Sequence, residues 1–313
     1  MGCMDLENIK MDWAPILEGY VRYLEDLYPD IPVRESFLKV IERLNSNEIK
    51  SRVILSGVNV AAYAYIMESK EKTDRIYGSI GFVDEKYCTE ERINNLLEWV
   101  SSEAKKNGRY IMMNEIFNST EVATRALEKA GFKTVIRERM EIDLLAFKGE
   151  KRDFHNEVEV SGINNLNIRE FSRFEYEAYK DSEDFILFPT ESADERAEMT
   201  TAIFKGQFGE VIPDASIVLR KGSDIVGAVI ATDGRMPGRE DVPILADVFV
   251  TREHRHKGYA KNMVTSSLLA LKGLGHTKAY LSVNSRSNAK KLYLSLGFQV
   301  SEYGKETIFY KKP

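Results

Sequence analysis

The sequence predicts an α/β (α+β) chain of two similar domains in tandem, each a mixed, twisted sheet flanked by helices on both faces. Three observations support this prediction. The chain has 313 residues, which is enough for two domains of ordinary size. Its composition, 43% hydrophobic and 30% charged, is typical of a globular protein and excludes a mostly disordered one. Its helix-like and strand-like segments also occur twice in the same order.

Two segments 166 residues apart carry this repeat. Ala126–Phe132 has the pattern of a helix that ends at Gly-Phe, and Leu292–Phe298 has the same pattern. Asn118 and Asn284 lie at the same offset upstream. A helix followed by glycine and an aromatic strand is a common ending on its own. The matched elements before each segment favour a duplication over that simpler interpretation.

In the N-terminal half, apolar periodicity predicts two helices, then antiparallel strands, then alternating helix and strand. The predicted helices are Ala14–Leu27, Arg34–Leu44 and Glu90–Lys106, and the predicted strands are Arg52–Ser56, Val58–Met67, Arg75–Val83 and Arg109–Phe117. The stretch Lys148–Asn165 is polar and turn-rich, so we expect the boundary there, with domains at 1–150 and 160–313.

The C-terminal half repeats this order. The predicted strands are Leu166–Glu170, Ala215–Arg220, Ile225–Thr232, Leu245–Val250 and Lys278–Asn284, and the predicted helices are Arg173–Asp181, Ala193–Phe204 and Gly258–Lys272. Strand and helix alternate after a run of antiparallel strands, which predicts a mixed sheet covered on both faces.

Charge and cysteine content exclude several function classes. The net charge is -5, so the bulk basic surface that tight non-specific nucleic-acid binding needs is missing. The two cysteines make no disulfide framework and fit a reducing compartment. No zinc-type spacing and no apolar run of roughly 20 residues occurs. We therefore expect a cytoplasmic protein without a metal, a membrane or a nucleic acid as partner.

The most informative stretch is Leu245–Ala260, which reads as a strand, a basic turn and the start of a helix. A helix N-terminus presents unpaired N–H groups and favours an anion. Gly258 permits close approach of a phosphate to the backbone, and Arg255 and Lys257 add positive charge. The simpler interpretation is a solvated basic turn before an ordinary helix.

The downstream sequence favours the phosphate site. Arg255–Ala260 matches Arg/Gln-x-x-Gly-x-Gly/Ala, and a strand ending in Asn284, then Asn288-Ala289, Tyr293 and Gly297-Phe298 follow it. In these residues the chain from about Leu166 onward resembles the GNAT superfamily of N-acetyltransferases. His256 stands where that family often has glycine, at a position that contributes backbone.

The resemblance implies that acetyl-CoA, or another acyl-CoA, donates an acyl group to a primary amine, which attacks the thioester directly in a ternary complex. The pyrophosphate would rest on the turn before the Gly258–Lys272 helix. The pantetheine would run between two splayed parallel strands, Leu245–Val250 and Lys278–Asn284. The implied cofactor-contacting residues are Val248, Phe249, Val250, Arg255, His256, Lys257, Gly258, Tyr259, Ala260, Asn284 and Asn288.

The resemblance also implies catalytic residues. Tyr293 lies at the family's tyrosine position and would protonate the leaving thiolate; alternatively it is a core tyrosine. Strand alternation places Leu245, Asp247 and Phe249 on one face, where Asp247 would bind the amine or take its proton. Asp247 could equally be a strand-edge residue bonded to a loop. Asn284 and Asn288 would contact the cofactor or orient the tyrosine, or cap a helix.

The segment Phe185–Glu191 lies between the first two helices of this half, which usually wall the acceptor pocket in this family. Glu191 is a weaker candidate for the acceptor site.

The N-terminal copy is expected to have no cofactor site. Thr89, Arg92 and Asn94 stand opposite Arg255, Gly258 and Ala260, and Leu127 stands opposite Tyr293. Its turn is acidic and lacks glycine, so it would repel a pyrophosphate and reads instead as a plain helix start. The tandem arrangement of the domains resembles that of mycothiol synthase. This similarity lies in architecture alone and implies no substrate for this chain.

Two other function classes remain open at this stage. One is a non-catalytic acetyl-CoA-binding sensor or regulatory module, and the other is a transferase that uses aminoacyl-tRNA. The acceptor amine can belong to a small molecule or a peptide, and the acyl length is undetermined. Because tandem domains can bury the seam through which single-domain relatives dimerise, we expect a monomer.

Overall fold

The computed structural model describes residues 4–28, 32–68, 75–106, 108–151, 153–154, 157–164, 166–182, 185, 192–206, 209–234 and 242–312. The chain divides into two compact units. Unit 1 is Met1–Arg137 together with Gly304–Pro313, and unit 2 is Glu138–Tyr303. The predicted boundary near Lys148–Asn165 differs from this division, which falls inside a strand.

Unit 1 is a mixed sheet with helices. Its helices are α1 (Ala14–Leu27), α2 (Val33–Asn45), α3 (Glu90–Lys105) and α4 (Glu121–Lys129). Its strands are β1 (Met4–Glu7), β2 (Lys50–Ser56), β3 (Asn59–Glu68), β4 (Arg75–Phe82), β5 (Tyr110–Asn114), the first half of β6 (Lys133–Asp143) and β13 (Glu306–Lys311). The order is β1-β2-β3-β4-β5-β13-β6. Only the pair β4–β5 is parallel among the strand pairs described in this unit.

A strand from the C-terminal segment completes the sheet of unit 1. β13 pairs antiparallel with β5 on one side and with β6 on the other, so that Ile308 stands between Asn114 and Val135. Phe309 is buried in the core that α3 and α4 cover. Because this pairing joins residues far apart in the chain, local composition cannot reveal it.

Unit 2 repeats the architecture. Its helices are α5 (Ile168–Tyr179), α6 (Ala193–Phe204), α7 (Tyr259–Gly273) and α8 (Asn288–Leu296). Its strands are β7 (Glu159–Ser161), β8 (Ile217–Lys221), β9 (Asp224–Thr232), β10 (Ile244–Val250), β11 (Lys278–Asn284), β12 (Gln299–Val300) and the second half of β6. The order is β6-β11-β10-β9-β8-β7, and β12 pairs with β6.

Both faces of the unit 2 sheet are covered, as the sequence predicts. Alternate residues of β9 enter different cores: Val229 and Ala231 pack with α7 and α8, whereas Ala228 and Ile230 pack with α5. The central strand is therefore apolar on both sides, which is typical of a sheet between two helical layers. No helix of the described ranges is both long and apolar enough to span a bilayer.

One predicted strand is wrong. Leu166–Glu170 is not a strand, because α5 already begins at Ile168. The side chain of Asn167 accepts a hydrogen bond from the N–H of Glu170 at 3.2 Å and caps the helix. The strand at this edge is β7, several residues earlier. The helix predicted at Arg173–Asp181 likewise starts earlier than expected, while the other predicted helices and strands agree with the structure to within three residues at either end.

Unit 1 should lose stability when its C-terminal strand is weakened. Phe309→Ala removes a buried ring and is expected to lower the free energy of unfolding of unit 1 by about 3–5 kcal/mol. Both tryptophans, Trp13 and Trp99, lie in unit 1, so urea denaturation followed by tryptophan fluorescence measures this effect. Lys312→Ala, an exposed neighbour, is the control and should leave the transition unchanged.

Candidate active site

A β-bulge in β10 sets the geometry of the site. The register of β10 against β9 shifts between Leu245 and Asp247. Leu245 packs in the core with α7, whereas Phe249 lies in the core with α5 and contacts Phe171 at 5.3 Å between ring centroids. The predicted common face for Leu245, Asp247 and Phe249 is therefore wrong, because the bulge inserts one residue and reverses the alternation.

The bulge turns Asp247 towards α5. Tyr179 Oη lies 2.7 Å from Asp247 Oδ1 and 3.0 Å from the carbonyl oxygen of Val248, so its one proton serves two acceptors. Val248 and Val250 face the opposite way and pack against the core beneath α7. One strand thus presents a carboxylate on one side and apolar side chains on the other.

The parallel strands β10 and β11 separate soon after they meet. They pair at Ile244 and Tyr280, where the N–H of Tyr280 also donates to the carbonyl of Pro243 at 3.0 Å. Both strands lie wholly within the described ranges, and no further ladder pair joins them towards Val250 and Asn284. Beyond this point the facing backbone groups of the two strands are not paired with each other. The predicted splay is thus present in the structure.

The turn after β10 has the shape of an anion site. Arg252–His254 forms a short 3₁₀ turn, after which His256 and Gly258 adopt left-handed φ angles of 63° and 82°. Gly258 is the N-cap of α7, so the first N–H groups of that helix point out of its end. A methyl group added at Gly258 would meet no atom within 4 Å, and the turn is open to solvent.

The side chain of Arg255 holds this turn in place. Its Nη2 donates to the carbonyl of Ala178 at 2.6 Å, and its Nε donates to the carbonyl of Val250 at 3.1 Å. The guanidinium therefore joins the end of α5 to the end of β10. Of the residues in the predicted phosphate turn, Lys257 leaves its charge at the surface, whereas Tyr259 is buried and Ala260 half-buried.

The structure places Tyr293 in the core of unit 2. It is 6% exposed, and its ring packs edge-on against Phe298 at 5.7 Å between centroids. This packing orients the ring and agrees with both interpretations made from the sequence.

The two asparagines differ in their surroundings. Asn284 is buried, and its Oδ1 accepts a hydrogen bond from the N–H of Arg286 at 2.9 Å, which closes the turn after β11. Ser287, not either asparagine, caps α8 by accepting from the N–H of Ala289. Asn288 is the first helical residue and its side chain is exposed.

A buried charged cluster next to Asp247 escaped the sequence analysis. Glu175 of α5 is fully buried and forms an ion pair with Arg196 of α6. Thr200 Oγ1 donates to the second oxygen of Glu175 at 2.5 Å. The guanidinium of Arg196 lies 5.0 Å from the centroid of the Tyr179 ring, and Tyr179 in turn binds Asp247. Two carboxyl groups and one guanidinium thus share one buried region.

This arrangement perturbs three pKa values. Burial and the nearby Asp247 carboxylate raise the pKa of Glu175 to about 8, against the opposing effect of Arg196. Burial and Asp247 raise the pKa of Tyr179 well above its usual value. Burial lowers the pKa of Arg196, but Glu175 and Asp247 outweigh that effect and the pKa is raised overall.

A weak sequence signal for this cluster exists. Phe171, Glu175 and Ala178 are spaced as one buried face of a helix, so Glu175 interrupts an apolar stripe. The helix predicted at Arg173–Asp181 leaves out Phe171, so the apolar stripe that Glu175 interrupts is not apparent from that prediction. The other acceptor-site candidate, Glu191, lies outside the described residues, as does most of Phe185–Glu191.

In unit 1 the corresponding strands stay together. β4 and β5 pair from Arg75↔Tyr110 to Gly78↔Met113. Beyond this, Phe117 continues the contact: its carbonyl accepts from the N–H of Phe82 at 3.0 Å, and its N–H donates to Ile80 at 3.3 Å. The side chain of Asn118 donates to Phe82 and Val83 and holds this segment on β4. No gap opens for a pantetheine within these described strands.

The remaining features of unit 1 also differ from unit 2. Thr89 caps α3, and Glu90 and Glu91 occupy its first turn, which confirms the plain helix start. Gly81 stands at the repeat offset from Asp247, and Tyr63 fills the space beside it, since a methyl group at Gly81 would lie 2.3 Å from Tyr63 Oη. The carboxylate of unit 2 is thus replaced by an aromatic ring.

Comparison with known proteins agrees with this geometry. Residues 213–300 match the family model described as an acetyltransferase (GNAT) domain. This match runs from the start of β8 to β12 and includes the splayed strands and the α7 turn. The chain therefore has a GNAT-type α/β fold, and residues 213–300 of unit 2 are similar in sequence to GNAT acetyltransferase domains.

Several solved structures share the fold. A GCN5-related N-acetyltransferase from Sphaerobacter thermophilus is 16% identical and superimposes with a TM-score of 0.62 over 98% of this chain and 95% of that one. A glucosamine N-acetyltransferase region of a fungal multi-domain GH3 β-N-acetylglucosaminidase is 12% identical, with a TM-score of 0.59 over 99% of this chain and 38% of that one.

A functionally unknown conserved protein from Staphylococcus epidermidis is 16% identical, with a TM-score of 0.52 over 80% of this chain and 90% of that one. A comparison with curated protein sequences finds no match. At these identities the structural likeness establishes the fold alone.

The buried carboxyl of Glu175 should make stability depend on pH. Its pKa is raised on folding, so its favourable contribution is complete at low pH and is lost as pH rises through the raised pKa. Glu175→Gln should therefore gain stability relative to the wild type between about pH 5 and about pH 9. Calorimetric unfolding at both pH values measures this difference. In Glu177→Gln, an exposed neighbour on α5, the difference from wild type should be the same at both pH values.

Proposed function

We propose that this protein is an N-acetyltransferase that moves an acetyl group from acetyl-CoA to a primary amine by direct attack in a ternary complex. The observation that carries the proposal is the gap between β10 and β11, which opens beside the left-handed turn at the start of α7. The GNAT fold supports acyl transfer in general. The donor, the acceptor and the order of events are the proposal.

The residues at the gap fit acetyl-CoA. Backbone groups of β10 and β11 that border the gap can hydrogen-bond the two amides of a pantetheine arm, as a third strand would. The exposed N–H groups at the start of α7 and the side chain of Lys257 offer a site for the pyrophosphate. The donor supplies a thioester whose carbonyl carbon is the electrophile.

Three groups of this chain then act on the reactants. Asp247 binds the acceptor ammonium and takes its proton, directly or through water, so that the amine can attack. A backbone N–H of β10 near Val248 and Phe249 stabilises the oxyanion. As the new C–N bond forms and the C–S bond breaks, Tyr293 gives its proton to the leaving thiolate.

We also propose a setting for this activity. The acceptor is an amine on a small molecule or a peptide, and the protein works in the cytoplasm as a monomer. Cys88 is buried as a free thiol, which fits a reducing compartment.

Isothermal titration with acetyl-CoA should show one site per chain, in unit 2. Gly258→Ala should weaken this binding by at least about tenfold, because the added methyl group occupies the surface that a phosphate approaches. Gly222→Ala is a matched control: Gly222 also has a left-handed φ and open surroundings, in the β8–β9 turn. Both substitutions should cost about 1–2 kcal/mol of stability, but only the first should affect affinity.

Two sites per chain would contradict the closed state of unit 1, and no binding would contradict the proposed donor.

Tyr293→Phe should lower kcat roughly 10²–10⁴-fold while acetyl-CoA affinity stays the same, because only proton donation is lost. Tyr303→Phe, at an exposed tyrosine, is the control. The measurement is thiol release under saturating acetyl-CoA with each member of an amine panel. An unchanged kcat would remove Tyr293 from the mechanism. Binding without transfer to any amine, in the wild type, would instead favour a non-catalytic sensor.

A further inference from the structure

The charge of the cluster beside Asp247 restricts the acceptor. Resting on the proposed function, we propose that the acceptor is a primary amine with no carboxylate next to its amino group, such as an alkyl amine or an amino sugar, and not an α-amino acid.

An open acceptor atom points to a cationic ligand at this place. Asp247 is 5% exposed, and its Oδ1 binds Tyr179. Its Oδ2 is buried and has no hydrogen-bond partner among the described residues. A buried carboxylate oxygen without a donor is costly, and an ammonium group supplies both the hydrogen bond and the opposite charge. The same atom lies on β10 beside the gap, where the thioester of the donor would arrive.

The positive charge of Arg196, the cation of this cluster, is already paired with a carboxyl group of the protein. Arg196 forms an ion pair with Glu175, which is fully buried, and a second hydrogen bond from Thr200 fixes that carboxyl group. The Nε of Arg196 has no partner among the described residues, yet the charges of both Glu175 and Asp247 already act on the guanidinium and raise its pKa. A third carboxylate, from a substrate, would therefore add an anion to a site without a spare positive charge.

This conclusion does not depend on the protonation state of Glu175. With both carboxylates ionised, Glu175, Asp247 and Arg196 carry a net charge of about -1, which complements one ammonium group. With Glu175 protonated, the three groups sum to zero. In neither state is there the positive surplus that a substrate carboxylate needs after it loses its water. An α-amino acid brings its carboxylate within a few ångströms of the amine and meets this penalty.

Matched ligands separate charge from size. The protein is saturated with CoA, which fills the donor site without reacting, and isothermal titration then compares isoamylamine, L-leucine and L-leucinamide. A second set is phenethylamine, L-phenylalanine and L-phenylalaninamide. We expect each amine and each amide to bind at least about tenfold more tightly than the amino acid, because only the amino acid carries the carboxylate.

Two variants test the origin of this preference. At about pH 9, above the raised pKa of Glu175, the Glu175→Gln substitution frees the charge of Arg196 and should reduce the isoamylamine-to-L-leucine affinity ratio by at least about tenfold relative to the wild type. Glu177→Gln removes an exposed charge from the same helix and should leave the ratio unchanged. The wild-type ratio tests the proposal independently if the Glu175 variant does not fold.

The outcomes distinguish this inference from the proposed function. Equal or tighter binding of the amino acids, or binding of none of the six ligands, overturns the inference. An unchanged ratio in a folded Glu175→Gln variant at about pH 9 also overturns it. Acetyl transfer from acetyl-CoA is then measured with the ligands that bind. Preferential amine binding without any transfer would overturn the proposed function while the selectivity stands.

Discussion

The bulge in β10 is the feature on which the rest of the site depends. It reverses the side-chain alternation of one strand, so that Asp247 faces α5 while Val248 and Val250 remain on the α7 side. A bulge also increases local twist, which fits the departure of β10 from β11 just beyond it. A single extra residue thus accounts for the placement of the carboxylate on the α5 side of the strand.

The two units show what an open site requires and what closes it. In unit 2, β10 and β11 pair with each other at one position, and Oδ2 of Asp247 has no hydrogen-bond donor among the described residues. In unit 1, Phe117 supplies the missing backbone pairing and Tyr63 fills the space beside Gly81. The same arrangement of strands and helices therefore separates two central strands in one copy and keeps them paired in the other.

Much of this could be predicted from the sequence, because local patterns determine it. The glycine at the start of α7, the acids at the start of α3 and the apolar periods of most elements are all local signals. The bulge is not, since it depends on how β10 registers against β9. The pair of Glu175 and Arg196 is not either, because two helices must pack before two ordinary surface residue types become a buried ion pair. For the same reason, the sequence identified Asp247 but not the groups that surround it.

The position of β13 has a consequence for how the chain is made. About 160 residues separate β6 from β13, so at roughly 5–20 residues per second the ribosome needs on the order of 10 s or more between them. During that interval the N-terminal unit has its helices and most of its strands, but the edges of β5 and β6 that later bind β13 have no such partner. Unpaired edges of this kind are where nascent chains aggregate. A molecule with this topology therefore exposes two strand edges for as long as that interval lasts, and both edges pair with β13 only after β13 itself has been made.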